Sequence, residues 1–188
     1  KHVIPEFNNT IINEIDTFIV ENIKVARRFL KKAGIQKEIS ELTFHEINKR
    51  SNEDEYPTFI KPLLNGENIG VLSDAGCPGV ADPGADIVAL AQEEDIKVIP
   101  LIGTSSILLA LMASGFNGQS FCFNGYLPKE QKERINKIKD LERNAKKFNQ
   151  TQIFIETLYR NDNMIEDLLQ KYYHNTMLCK PEDITRHT

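Results

Sequence analysis

The stretch LSDAGCPGVADPG, residues 72 to 84, carries the end of an apolar strand into a loop of three glycines, two prolines and two carboxylates. Ile69 to Leu72 read as the last part of a buried parallel strand. Asp82 can cap the helix that follows, with Pro83 at its first position, and the glycines let backbone approach a bound molecule. In an open α/β sheet such loops, at the carboxyl ends of strands, form the usual binding crevice. The same residues also suit a tight strand-to-helix connection without a ligand, because Gly and Pro are ordinary turn residues.

Outward from this loop, helix and strand patterns alternate. Asn9 to Ile15 has helical spacing, Thr17 to Glu21 reads as a strand, and Ile23 to Lys32 is an amphipathic helix ended by Gly34. Leu42 to His45 is a short strand and Tyr56 to Leu64 a helix. After the strand ending at Ser73 come a helix over Ala85 to Glu94, a strand over Lys97 to Leu101 and a helix over Ser105 to Ala113. The polar segment FNGQS, 116 to 120, reads as a linker. Beyond it the pattern restarts with strands at Phe121 to Tyr126, Gln152 to Glu156 and Thr176 to Cys179, and helices at Lys129 to Phe148 and Asp162 to Tyr172. The alternation predicts two α/β domains, 1–116 and 117–188, the first with a mainly parallel sheet and the second with a mixed and shortened one.

Composition narrows the classes. With 40% hydrophobic and 27% charged residues the chain reads as an ordinary soluble globular protein, and its longest apolar run, around Ile107 to Ala113, is too short to span a membrane. No signal-like start is present. Cys77, Cys122 and Cys179 are far apart and odd in number, which points to reduced thiols in a cytoplasm and gives no zinc pattern. The net charge of −4 argues against a general nucleic-acid coat but allows a local basic face. Lys129, Lys132, Arg134, Lys137, Lys139, Arg143, Lys146 and Lys147 form one such stretch, against Glu130, Glu133, Asp140 and Glu142, with Ile135, Ile138 and Leu141 as its apolar stripe. It fits either a solvated helix with i,i+4 pairs or a polyanion contact.

Three further places could carry chemistry. In PLIGTSS, 100 to 106, Gly103 permits close approach and Thr104 or Ser105 can cap the next helix, whose free amides would hold an anion. His45 and Asn48 stand at the edge of a short strand and could position a substrate, or form only a turn and cap. Glu156 and Arg160 follow a strand in the second half, where Arg160 could read a phosphate or pair with Glu156. Neither glycine loop has the dinucleotide GxGxxG or the GxxxxGK[ST] phosphate pattern, and no nucleophilic triad or metal-spaced cluster is present.

SDAGCPGVADPG at 73 to 84 resembles the SDAG-x-P-x-x-x-DPG signature of the tetrapyrrole-methylase-like superfamily, and in particular its 16S ribosomal RNA cytidine 2′-O-methyltransferase branch. FIVENIKVARRFLKK at 18 to 32, LTFHEINKRS at 42 to 51, VIPLIGTSSILLALMASG at 98 to 115 and IFIETLYR at 153 to 160 resemble four more segments of that branch, in order. The resemblance implies a cytoplasmic homodimeric methyltransferase with S-adenosylmethionine in a cleft between two α/β domains. Carried over by position, it assigns cofactor contacts to Ser73, Asp74, Ala75, Gly76, Cys77, Val80, Ser105, Ser106 and Thr157. It implies ribosomal RNA or a ribosomal subunit as partner and a ribose hydroxyl as acceptor. His45 is the candidate general base, and His45, Asn48 and Arg160 are the candidate substrate contacts. A small tetrapyrrole-type acceptor and a non-catalytic paralogue are the alternatives.

The chain also departs from the pattern. It starts at His2-Val3-Ile4-Pro5 where the family has a strand and a Pro-x-Gly-Asn-Leu-type loop, and stops after Asp183-Ile184-Thr185 where the family continues. Cys77 stands for a usual Thr, Lys49 for a Glu, and Leu158-Tyr159 for Pro-His.

Overall fold

The computed structural model describes residues 4–48, 50–171, 176–181 and 184. The departures at His2, Val3, Lys49, Asp183 and Thr185 lie outside those residues, as does Tyr172. The chain divides into two compact units, Lys1–Ser105 and Ser106–Thr188.

In the first unit, α1 (Glu6–Asn13) leads to β1 (Thr17–Val20), α2 (Ile23–Ala33) and β2 (Thr43–Glu46). Two local signals delimit α2: the Asn22 side chain accepts the Val25 amide at 3.1 Å, and Gly34 closes the helix at φ 92°, a left-handed conformation that costs glycine little. The helix expected over Tyr56 to Leu64 is two short ones, α3 (Tyr56–Phe59) and α4 (Lys61–Leu64). Pro62 explains the break, since it has no amide to donate and its ring would strike a carbonyl one turn back. Then come β3 (Ile69–Leu72) and α5 (Gly84–Glu93).

The three strands form a parallel sheet in the order β2-β1-β3, with Val20 level with both Glu46 and Leu72. All four residues of β1 are buried, because both faces of the sheet are covered. Phe18 and Val20 join Ile12, Ala26 and Leu30 on the side of α1 and α2. Ile19 joins Ile47, Tyr56, Ile60 and Ile87 on the other. Gly70 sits beside Phe18 because nothing larger fits: a Cβ there would lie 2.8 Å from the Phe18 ring.

Lys97 to Leu101 forms no strand, contrary to the sequence expectation. A strand exists only as half of a pair, and among the described residues β3 pairs with β1 alone. Pro100 lacks a ladder donor, and Ile99 and Leu101 are left exposed.

The second unit opens with α6 (Ser106–Ser114) and continues with β4 (Phe121–Tyr126), α7 (Gln131–Phe148), β5 (Thr151–Ile155) and α8 (Asn161–Lys171). β4 and β5 pair in parallel across the α7 crossover, so the sheet is parallel among the described residues rather than mixed. Thr176 to Cys179 is not a strand. The core holds Leu127, Ile138, Leu141, Met164 and Leu168. Two charged residues on α7, Arg134 and Glu142, are buried as well. Arg134 is paired with the buried Asp167 of α8, its Nη2 2.6 Å from Oδ2, and its Nη1 donates to the Lys129 carbonyl at 2.6 Å.

Candidate cofactor loop and its surroundings

Because Val20 is level with Leu72, the residues that follow, Glu21 and Ser73, emerge side by side from adjacent parallel strands. The Ser73 hydroxyl lies 2.9 Å from Glu21 Oε1 and 2.8 Å from the Ala75 carbonyl. The Asp74 amide donates to the same Glu21 oxygen at 2.9 Å. A carboxyl from one strand end thus organises the first turn of the loop grown from the next.

Asp82 organises the second half. Its Oδ1 accepts the Gly79 amide at 3.1 Å and the Gly84 amide at 2.7 Å. Pro83 takes the N-cap place rather than the first helical position, so α5 starts at Gly84, and Asp82 still serves its first amide. Asp82 Oδ2 is shielded from solvent and has no hydrogen-bond partner, with Ser73 and Glu21 as its polar neighbours.

This arrangement separates the two carboxyls. Burial raises Glu21 above its ordinary value, and Asp82 adds to the rise, while the Asp74 amide and Ser73 oppose it. Burial alone would raise Asp82 too, but the neighbouring Ser73 hydroxyl, the Gly79 amide, the nearby Glu21 carboxyl and the Gly84 amide outweigh it and hold Asp82 low. Glu21 therefore keeps its proton longer and Asp82 carries the charge. Asp74 is raised by burial and by the charges of Glu46 and Asp82, with Arg28 offsetting part of the rise.

Between these anchors the backbone turns outward. Gly76 has φ 82°, Gly79 φ 78° and Ala81 φ 57°, and a Cβ added at Gly76 would meet nothing within 4 Å. Val80 is exposed. Cys77 Sγ lies 3.8 Å from the Thr104 carbonyl, so the two glycine turns singled out in the sequence meet within the first unit. A left-handed, outward-turned backbone with open space above it and a shielded carboxylate oxygen behind it fits a small polar cofactor such as S-adenosylmethionine. In the second turn Ser105 is half-buried, and Ser106, exposed, starts α6 of the other unit.

The remaining candidates are placed as follows. His45 lies within β2, stacked on Phe59 with ring centroids 4.5 Å apart, and burial lowers its pKa. Asn48 donates to Glu46 Oε1 at 3.0 Å and accepts the Arg50 amide at 2.9 Å, shaping the turn after β2. In the second unit, the Thr157 amide and hydroxyl both reach Glu156 Oε1. Arg160 Nη2 lies 2.8 Å from Glu156 Oε2 and donates to the Leu127 and Pro128 carbonyls, so its guanidinium is taken up inside that unit. Of the cations on α7, Arg134, Arg143 and Lys146 are engaged by Asp167, Asp140 and Glu142. Sequence reasoning gave no role to Glu21. Its signal was local, a lone carboxylate directly after the apolar run of Phe18, Ile19 and Val20.

Among the described residues no helix is long and apolar enough to cross a membrane, and no group of His, Cys, Asp or Glu is placed to hold a metal ion.

The chain is similar to ribosomal RNA small subunit methyltransferase I of Haemophilus influenzae, 31% identical over 82% of this chain and 52% of that protein. The proteins of the same name from Halalkalibacterium halodurans and Escherichia coli O157:H7 are 32% and 30% identical over 84% and 94% of the chain. The chain spans about half the length of these relatives, covering 52% and 58% of the latter two. The fold is similar to that in the crystal structure of the methyltransferase CobJ, with a TM-score of 0.57 and 17% identity over 92% of this chain and 72% of that one. The sequence profile of the tetrapyrrole (corrin/porphyrin) methylases matches residues 10–180. That extent of match, on a chain that folds its signature loop as described, places this protein in the tetrapyrrole methylase family, which uses S-adenosylmethionine.

Proposed function

We propose that this chain belongs to an S-adenosylmethionine-dependent methyltransferase whose acceptor is a ribose 2′-hydroxyl of ribosomal RNA. The observation that carries the proposal is the Ser73–Gly84 loop, braced by Glu21 and Asp82 and tied to the second glycine turn through Cys77 and Thr104. Bound there, S-adenosylmethionine would supply an electrophilic methyl group on its sulfonium. Ser73, Asp74, Ala75, Gly76, Cys77, Val80, Ser105, Ser106 and Thr157 would hold it, as the resemblance implies. Methyl transfer in line depends on positioning more than on acid or base strength, and a loop rigidified by two carboxyls suits that demand.

A ribose hydroxyl must still lose its proton. His45 is the proposed acceptor: its lowered pKa keeps the imidazole neutral near pH 7, and stacking on Phe59 fixes the ring plane. Asn48 shapes the adjoining turn for the acceptor. The RNA assignment draws on the rRNA methyltransferases to which the chain is similar. A cytoplasmic homodimer completes the proposal. The family's own description keeps a second acceptor in view, a corrin- or porphyrin-type small molecule.

Calorimetric titration of the full-length protein with S-adenosylmethionine tests the first part, and absence of binding sinks it. Transfer of tritium from labelled cofactor to ribosomal RNA from a strain lacking the gene tests the second. Label appearing instead in a small-molecule fraction would move the acceptor to the corrin or porphyrin class.

A further inference from the structure

The exposed face of α2 carries Lys24, Arg27, Arg28 and Lys31, spaced i, i+3, i+4 and i+7, so all four project from one side of the helix. The opposite side, with Ala26 and Leu30, is buried in the core. Beside the cationic face runs an open groove of about 610 Å³, bordered by these four side chains and by Glu46. Glu46 offsets only one of their four positive charges. Its two oxygens are occupied, one by the Ile23 amide at 3.1 Å and the other by the Asn48 side chain at 3.0 Å. Arg27 lies over the Phe44 ring at 5.1 Å, which holds its guanidinium along the wall of the groove. Among the described residues none of the four cations has a salt-bridge partner within 4.0 Å.

We infer that this groove is where the sugar-phosphate backbone of a single-stranded RNA docks. The row of cations extends over about 10 Å of helix. That length suits a linear polyanion better than a single small anion, which would engage one or two of the four. A lipid surface fits poorly, because the apolar residues of α2 are spent on the core and none is left to enter a bilayer. The groove and the cofactor loop lie at the same end of the sheet, since Val20 is level both with Glu46, at the groove, and with Leu72, from which the loop grows. An RNA strand laid along α2 would pass next to the methyl-donor loop. The inference rests on the proposed RNA methyltransferase function and assigns that function its docking surface, on a chain whose net charge of −4 gives no general attraction for RNA.

The test compares full-length protein with Lys24→Gln/Lys31→Gln, two exposed positions where Gln keeps the helix propensity. A control, Lys132→Gln/Lys139→Gln, removes the same charge from α7. Binding of a labelled single-stranded 16S ribosomal RNA fragment is measured over a range of salt concentrations, with S-adenosylmethionine affinity and melting temperature in parallel. The α2 variant should bind RNA more weakly, with the slope of log affinity against log salt shallower by about 1.4. Cofactor affinity and melting temperature should stay as in the parent, and the α7 control should keep the parental slope. Unchanged RNA binding in the α2 variant, no RNA binding by the parent, or binding only to phosphatidylserine vesicles overturns the inference. A loss confined to the α7 control overturns it too. RNA binding that depends on Lys24 and Lys31 in a protein that transfers no methyl to RNA supports the surface and refutes the function.

Discussion

Glu21 Oε1 and the Ser73 hydroxyl lie 2.9 Å apart, although the two residues are 52 positions apart in the chain. Each is the first residue beyond its strand, and the level pairing of Val20 with Leu72 brings them together. The cofactor loop is therefore braced by a residue outside the signature. Glu21→Ala removes the acceptor for both Ser73 and the Asp74 amide. It should weaken S-adenosylmethionine binding by about 1 kcal/mol, the net worth of a typical hydrogen bond, since the Asp74 amide can turn to water and the Ser73 hydroxyl keeps the Ala75 carbonyl. Glu21→Gln keeps an acceptor oxygen and should lose much less. Calorimetric titration of both variants checks the difference, and equal losses would contradict a bracing role.

The split between Glu21 and Asp82 has a pH signature. Glu21 has a folded-state pKa above its ordinary 4.5, so its contribution to stability is full below that value and is lost as pH rises through the folded value. Asp82, held below its ordinary 3.8, contributes above that value and loses the contribution as pH falls through its folded value. The stability advantage of the parent over Glu21→Gln should thus shrink as pH rises from about 4.5, whereas its advantage over Asp82→Asn should shrink as pH falls below about 3.8. Melting temperatures of the three proteins between pH 3 and pH 7, on the order of ten points, check both signs.

Two glycines separate fold from site. A Cβ at Gly70 would press on the fully buried Phe18, so Gly70→Ala should cost about 1–3 kcal/mol of stability. Gly76 has open space around it but a left-handed backbone, and Gly76→Val puts a branched side chain where the ligand is proposed to lie. Its cofactor affinity should fall much further than its melting temperature. Parental affinity in Gly76→Val would remove the ligand from this loop.

In the second unit, Asp167→Ala strands the buried Arg134 guanidinium and should cost about 3–5 kcal/mol. Replacing both partners, as in Arg134→Met/Asp167→Leu, should recover most of that loss, because two well-packed apolar side chains avoid desolvating two charges. Denaturant unfolding of the single and double variants measures the recovery.

For His45, the proposed proton acceptor, the rate of methyl transfer at saturating cofactor should fall as pH drops through a value below the ordinary 6.5. His45→Gln should lose most of the rate while keeping cofactor affinity. A parental pH profile in that variant would dismiss the base.

Much of the local structure was legible in the residues themselves. Gly34 announced the end of α2, and Asp82 announced the start of the helix after the 73–84 loop, whose Gly84 amide it accepts. Such features are decided by backbone sterics and capping within a few residues. The expected strand at Lys97 to Leu101 failed because an apolar segment becomes a strand only when a neighbour supplies hydrogen bonds, and composition does not name the neighbour. Arg134 resembled its solvated neighbours on α7 for the same kind of reason, since its partner Asp167 stands on another helix.

By itself the sequence determined the α/β alternation and the family to which the chain belongs, both of which follow from short-range pattern. Only the tertiary structure decided the strand order β2-β1-β3, and with it the meeting of Glu21 with Ser73, the approach of Cys77 to Thr104 and the groove beside α2. These depend on which strand ends become neighbours. That choice is made by burial of both sheet faces, across separations that no local pattern records.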